Sequence, residues 1–365
     1  MDLYRTKISE TIDAPVKIVR LKDGREIKKV SDKSLLRKGG ADVRGYVQLF
    51  FFFITLWIGV DFYLFMNALS KGVPAVVTRP PGVEGFLPIS ALMSLRYFIL
   101  TGIINHIHPA GFFIFVAVIF ISVFMKKGFC SWICPVGFIS ESLYEFGGKL
   151  LGRNFTLPKW VDIPLRSLKY LLLAFFFISV SVLSAQELGS FIHSDFNKVA
   201  DIKMYMFFAH ISTFSIVIIG LLLILSVFYK NFWCRYACPY GALLGISSLI
   251  SPLKIRRVER SCIDCGLCSQ ACPSGLPVDK LDSVSSAECN ACYSCVEACP
   301  VKNTLNLSLR SGEKGLSQKQ YALLLLGIYF GVVGVAVLAG LWQNSIPFNE
   351  YLILFKNLGA ISHAF

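Results

Sequence analysis

Five stretches of this chain, 46–66, 109–125, 168–183, 204–229 and 321–342, are almost continuously apolar. They lack the strict two-residue alternation of half-buried strands, and each approaches the roughly twenty residues that a helix needs to cross a bilayer. The pattern predicts a polytopic α-helical membrane protein of about five spans. Between the first two spans, residues 68–90 contain TRPPGVEGFLPIS, whose prolines and glycines predict a turn-rich outer loop. Residues 91–108 are mixed in character and carry Arg96, which predicts an interfacial or re-entrant helix. The first span carries Asp61 toward its outer end, and an intramembrane carboxylate is either functional or, this near the interface, solvated. Residues 1–44 are polar, with VKIVRL and EIKKV predicting two short strands around the turn at Asp23-Gly24.

The charged residues orient these spans. Of 365 residues 55% are hydrophobic and 16% charged, with a formal net charge of +13. Twelve Lys or Arg precede the first span, seven lie between Lys126 and Lys169, and eleven between Lys230 and Lys319. The positive-inside rule accounts for that distribution without a polyanionic partner, so no nucleic acid is expected. It puts the N-terminus in the cytoplasm of a bacterium, the spans in its inner membrane and the C-terminus in the periplasm. The polar start of the chain predicts no cleavable signal. The segments expected are a basic cap at 1–44, membrane units at 45–150 and 166–252, a cytoplasmic module at 253–312, a fifth span at 321–342 and a tail at 343–365.

The module is built around CIDCGLCSQACP and CNACYSCVEACP. Each reads C-x2-C-x2-C-x3-C-P, the run that holds a [4Fe–4S] cluster, with the fourth cysteine reaching to the other cluster. One set is then Cys262, Cys265, Cys268 and Cys299, and the other Cys289, Cys292, Cys295 and Cys272. Structural zinc also uses paired cysteines, but it has no need of two tandem runs of this kind. The remaining four of the twelve cysteines form two C-x3-C-P pairs, leaving none for a structural disulfide, as suits a reducing compartment.

Those pairs belong to an internal repeat. HIHPAGFFIFVAVIFISVFMKKGFCSWICPVG aligns without gaps on HISTFSIVIIGLLLILSVFYKNFWCRYACPYG at a constant offset of 104. Two spans per unit, running in the same sense, predict a parallel repeat about an axis along the membrane normal. The first unit is longer by about 18 residues, chiefly around RPPGVEG, and insertions in repeats tend to mark a working face. The repeat brings Cys130, Cys134, Cys234 and Cys238 to one depth, where they are read as ligands of a further iron–sulfur site, as small capping hydrophobes or as reactive thiols. His106 and His210 match near the outer ends and are candidates for a b-type haem or a quinone, with His108 an alternative to His106. From His210 to Cys234 is 24 residues, about 36 Å of helix, so either a quinone pocket or a mid-depth cofactor bridges that gap or the histidines lie outside the electron path. Glu84 in the outer loop is a candidate proton acceptor for quinol, or a solvated carboxylate.

CSWICP, CRYACP, the two ferredoxin runs and RPPGVEGFLPIS together resemble the membrane polyferredoxins of the NapH, CcoG (FixG, RdxA) and NosR membrane-domain type, over residues 40–345. The resemblance implies [4Fe–4S] clusters and quinol-linked electron transfer to a redox partner, by a redox subunit of a quinol dehydrogenase-type complex. For the CcoG branch it implies reduction of copper during oxidase assembly. The sequence departs from CcoG in having 23 residues after Trp342 in place of an immunoglobulin-like domain, and from NosR in lacking an N-terminal flavin-binding domain. NapH is thereby the nearest functional analogue, although RPPGVEG is shared with the CcoG branch. A third possibility is a subunit whose clusters serve only to anchor a partner.

Overall fold

The structure is a computed structural model that describes residues 16–20, 26–30, 42–73, 78–151, 155, 157–310 and 315–361. In the N-terminal segment, β1 (Val16–Arg20) and β2 (Glu26–Val30) pair antiparallel, Val16 opposite Val30. The expected Asp-Gly turn between them lies outside the described residues.

The first apolar stretch forms α1 (Val43–Lys71), 29 residues long. Asp42 caps it by accepting from the Gly45 amide at 3.0 Å, and Gly72 ends it at φ 66, a conformation that costs a glycine least. The outer loop tightens into a short 3-10 turn, Pro81–Phe86, before α2 (Pro88–Thr101). Next comes α3 (Pro109–Met125), apolar on every face and buried along most of its length, so it stands inside the protein with α15 and the Pro81–Phe86 turn packed around it. Two broken elements follow, α4 (Gly128–Trp132) and α5 (Pro135–Leu151). The second unit runs α6 (Lys159–Val182), α7 (Ala185–Ile192), α8 (Asp195–Lys198), α9 (Ala200–Ala209), α10 (Thr213–Phe228), α11 (Phe232–Tyr236) and α12 (Pro239–Ser247).

The soluble module is a three-stranded antiparallel sheet of order β4-β3-β5, from β3 (Lys254–Arg257), β4 (Ser283–Val284) and β5 (Leu305–Ser308), with α13 (Leu267–Ala271) and α14 (Ser294–Ala298) against it. Ile255 faces Leu307 and Val284 across the sheet, and all three are buried. The chain then re-enters the apolar phase as α15 (Gln318–Leu338), opened by a reciprocal cap between Ser317 and Gln320, and ends in α16 (Phe348–Lys356).

Three described helices, α1, α6 and α15, are long and apolar enough to cross a membrane. The expected single span over 204–229 is instead two helices, α9 and α10, bent by 86°. The break has a local cause: Ser212 accepts from the Ser215 amide at 3.2 Å and starts a new helix just after His210. The expected second span, α3, is 17 residues, shorter than the other spanning helices.

Candidate functional site

Each ferredoxin run is wrapped by two left-handed residues at matching places, Asp264 (φ 52) and Gly266 (φ 71) in the first, Ala291 (φ 47) and Tyr293 (φ 63) in the second. Glycine meets this demand freely, whereas Tyr293 does so at a steric cost. Its compensation is burial: Tyr293 is 2% exposed, its hydroxyl donates to the Leu316 carbonyl at 3.1 Å, and its ring meets Trp132 and Tyr321 edge-on. After these turns α13 and α14 carry the chain one helical turn to Cys272 and Cys299, followed by Pro273 and Pro300.

Two small cavities result. One is walled by Cys262, Cys265, Cys268 and Cys299, the other by Cys289, Cys292, Cys295 and Cys272. Each takes three cysteines from one run and the fourth from the other. Among the described residues no three His, Cys, Asp or Glu side chains converge on a single-ion position; the thiols of each set meet as walls of one small cavity. That suits a cubane held at its corners. Cys289, Cys292 and Cys295 are buried whereas Cys265 is exposed, so the two cavities are here termed inner and outer. Burial pushes the Cys289 thiol up to about 11 despite the Ala291 amide beside it, and raises Cys268, Cys272 and Cys299. Thiols so placed ionise readily only against a metal.

The four remaining cysteines meet in one larger cavity of about 550 Å³. Their local folds match: Cys134 and Cys238 donate their amides to Phe129 and Trp233 carbonyls at 3.0 and 3.1 Å, and a proline follows each to open α5 or α12. At Gly137 a Cβ would stand 2.3 Å from the Cys130 carbonyl, so only glycine fits; at the matched Gly241 the corresponding approach is an ordinary 3.5 Å. The same cavity is lined by Gly82 and Gly85 from the outer turn, by Lys127 and by Glu288 and Asn290 from the soluble module.

The membrane cysteine motif is bolted to the inner cavity. Ser131 Oγ donates to the Asn290 carbonyl at 2.7 Å and Trp132 Nε1 to the Ala291 carbonyl at 3.1 Å. Lys169 Nζ lies 2.7 Å from both Glu288 oxygens, and Arg235 reaches the Pro273 carbonyl at 3.5 Å while pairing with Asp162. Burial opposes ionisation of Glu288, and the Lys127 and Lys169 charges overcome it, holding the carboxyl below its usual range.

Other candidates fall elsewhere. His106 and His210 are exposed and line neither the large cavity nor the two small ones. His108 is buried, its Nε2 2.6 Å from the Asn197 carbonyl. Glu84 is fully buried: Arg79 donates to Oε1 at 2.7 Å, the Gly111 amide to Oε2 at 2.9 Å, and His108 stands 3.5 Å away. Arg79 also binds Asp201. Burial pushes the Glu84 carboxyl up, but His108 and Arg79 more than offset it, so it lies below the usual glutamate range. Asp61 accepts from Trp57 Nε1 at 2.7 Å on an exposed face. Sequence reasoning passed over Ser131 and Trp132, although both lie inside the first C-x3-C-P, and over the Lys169–Glu288 pair, which nothing local marks.

Residues 107–154 and 211–257 match the family described as "4Fe-4S binding domain", and 254–300 match "4Fe-4S dicluster domain". The chain is 45% identical over 317 residues, 85% of its own length and 87% of the other's, to the Escherichia coli (strain K12) protein described as "Putative electron transport protein YccM". It is 29% identical to the ferredoxin-type protein NapH of the same strain over 48% of this chain and 59% of that one. It is 28% identical to the regulatory protein NosR of Pseudomonas aeruginosa over 46% of this chain and 22% of that one. No solved structure matches.

Proposed function

The chain belongs to the membrane polyferredoxins, iron–sulfur proteins of electron transport, and on that premise we propose that it carries single electrons between a quinol in the membrane and a soluble redox partner. Cys289, Cys292, Cys295 and Cys272 would hold the inner cluster and Cys262, Cys265, Cys268 and Cys299 the outer one. Cys130, Cys134, Cys234 and Cys238 would hold a third. Bound there, such clusters supply one-electron carriers in a fixed row.

The protein's own residues set the order of that row. Ser131 and Trp132 hold the membrane motif against Asn290 and Ala291, so the inner site is the one that exchanges with the membrane. Cys265 is exposed, so the outer site is the one a partner can approach. The observation that carries the reading is the single cavity that joins the outer turn, the four membrane thiols and the edge of the inner site. A quinol entering it would release two protons to water and two electrons, which clusters held by these thiols would take up one at a time. Glu84, with both oxygens engaged, acts in this reading by pinning the turn whose glycines wall the cavity. A haem between His106 and His210 forms no part of it. The N-terminus and the soluble module face the cytoplasm of a bacterial inner membrane, as the basic residues flanking the spans favour.

The test is an anaerobic iron and sulfide determination followed by addition of a menaquinol analogue. More than about eight irons per chain, with signals that appear on quinol addition, support the reading. Clusters that stay oxidised under quinol sink it. A second reading, reduction of copper, is favoured by the thiols' facing an open cavity; it requires copper-dependent loss of those thiols with indifference to quinol.

A further inference from the structure

The cavity that joins the outer turn to the soluble module is larger than a cluster requires. The two ferredoxin cavities measure about 20 Å³ each and this one about 550 Å³, so a cluster on the four membrane thiols leaves room for a second occupant. Its two ends differ in chemistry. Toward the outer turn the walls are Ile58, Phe86, Ile114, Val333 and Trp342. Thr55 on the same side is spent on the Phe51 carbonyl at 2.9 Å.

Toward the soluble module the walls are Lys127, Asn231, Arg235, Glu288 and Asn290. Arg235 and Glu288 are engaged with Asp162 and Lys169. The two asparagines are not: each buries a side-chain Oδ1 that has no hydrogen-bond partner among the described residues. A buried amide oxygen left unpaired is costly, and two on the walls of one cavity call for an occupant that pairs them. Lys127 and Asn231 hold the same position of the repeat, 104 residues apart, each three residues before the first cysteine of its C-x3-C-P pair. Lys127 is 4% exposed, and its Nζ lies 3.6 Å from the place a Cβ on Gly241 would take, so the ammonium stands beside the second pair. Asn290 walls the inner ferredoxin cavity as well as this one.

We propose that an isoprenoid quinone occupies this cavity with its ring at the soluble-module end, held by Lys127, Asn231 and Asn290, and its tail along the apolar walls toward the outer turn. This rests on the quinol reading above and fixes which end of the cavity is the reactive one. An amide accepts from a quinol hydroxyl through its oxygen and donates to a quinone oxygen through its nitrogen, so the same two side chains suit both states, and Lys127 donates to either. A ring turned the other way would meet Ile58, Phe86 and Val333. With the ring inward, Asn290 borders both it and the inner site. Oxidation of the quinol breaks its two O–H bonds: the electrons pass singly to clusters held by the thiols, and the two protons go to water on the side of the soluble module.

The experiment is photolabelling of the purified full-length protein with two isoprenoid naphthoquinones, one carrying an azide on the ring and the other at the tail end, each with and without an excess of the azide-free compound, followed by peptide mapping. Competable ring label should fall on peptides within 127–137, 231–241 or 288–290, and tail label on 82–88 or 333–342. Asn231→Leu and Asn290→Leu should each weaken binding of the azide-free compound about tenfold, the worth of one hydrogen bond, with iron and sulfide per chain unchanged. The same factor should apply to a naphthoquinone without a tail, whereas Ile58→Ala should weaken only the tailed one. If Asn290→Leu does not assemble, Asn231→Leu and the labelling of the native protein carry the test. Ring label in the outer turn, or undiminished binding in the asparagine variants, overturns the proposal. Absence of competable label from every cavity peptide with both probes overturns instead the quinol reading on which it rests.

Discussion

Trp132 and Ala291 are joined by a hydrogen bond of 3.1 Å from the indole nitrogen to the backbone carbonyl. One residue lies between two membrane cysteines and the other between two ferredoxin cysteines, so the bond ties the two cysteine systems together. Trp132 is fully buried and packs on Tyr321 at 5.2 Å, while Tyr321 donates to the Met125 carbonyl at 2.6 Å. Orientation of the soluble module therefore depends on a core residue of the membrane part.

Trp132→Phe keeps most of the packing and strands the Ala291 carbonyl, at a cost of about 1–3 kcal/mol. Trp132→Ala also opens a cavity, and about 3–5 kcal/mol is expected. The check is thermal unfolding in detergent together with stopped-flow reduction. Quinol-driven reduction of the inner site should slow in both variants, whereas chemical reduction of the outer site by dithionite should not.

Cys299→Ser, although it alters the second run, should abolish the outer cluster and spare the inner one; Cys272→Ser should do the reverse. Each should remove about four irons. Iron determination with paramagnetic spectroscopy decides this, and loss of the cluster belonging to the variant's own run would refute the crossed arrangement.

Gly137→Ala should disrupt the membrane cysteine site, because its Cβ would collide with the Cys130 carbonyl, while Gly241→Ala at the matched position should be tolerated. Iron in excess of the ferredoxin pair is the readout. Equal losses in the two variants would show that the crowding at Gly137 is immaterial.

Glu84→Gln leaves Arg79 with Asp201 as its carboxylate partner and weakens the charge-assisted hydrogen bonds from Arg79 and the Gly111 amide, and a loss of about 1–3 kcal/mol is expected. The network also fixes an acid limit. Because the folded carboxyl is held below its usual range, its contribution is complete above the unfolded value of about 4.3 and is lost as pH falls through the lower, folded value. Melting temperatures of native protein and variant should converge as the pH drops below about 4. A constant gap across that range would remove Glu84 from the acid response.

The apolar runs and the cysteine spacing were legible because each is a local pattern: α1, α6 and α15 fall on the expected stretches, and the dense cysteine runs fold into two thiol-lined cavities. The break between α9 and α10 was not, since it turns on one serine competing for a backbone amide within an apolar stretch. The docking of the soluble module was equally hidden, for Ser131 and Trp132 bind backbone carbonyls, which leave no mark on the partner's sequence. Glu84 reads as a loop carboxylate until Asp201, far along the chain, is brought to the same arginine. Lys126 was plainly visible, but the topology rule accounted for it and so concealed the burial of its Nζ without a hydrogen-bond partner among the described residues.

Cys265 is exposed while Cys289, Cys292 and Cys295 are buried. With the proposed clusters in place, dioxygen and peroxide would reach the outer thiol ring before the inner one. Protein isolated in air should lose the outer iron first, and after that it would still be brown, still accept reducing equivalents, and have nowhere to send them. Colour and reducibility would then mislead about competence, and the order in which damage arrives is written into which thiol ring the fold leaves uncovered.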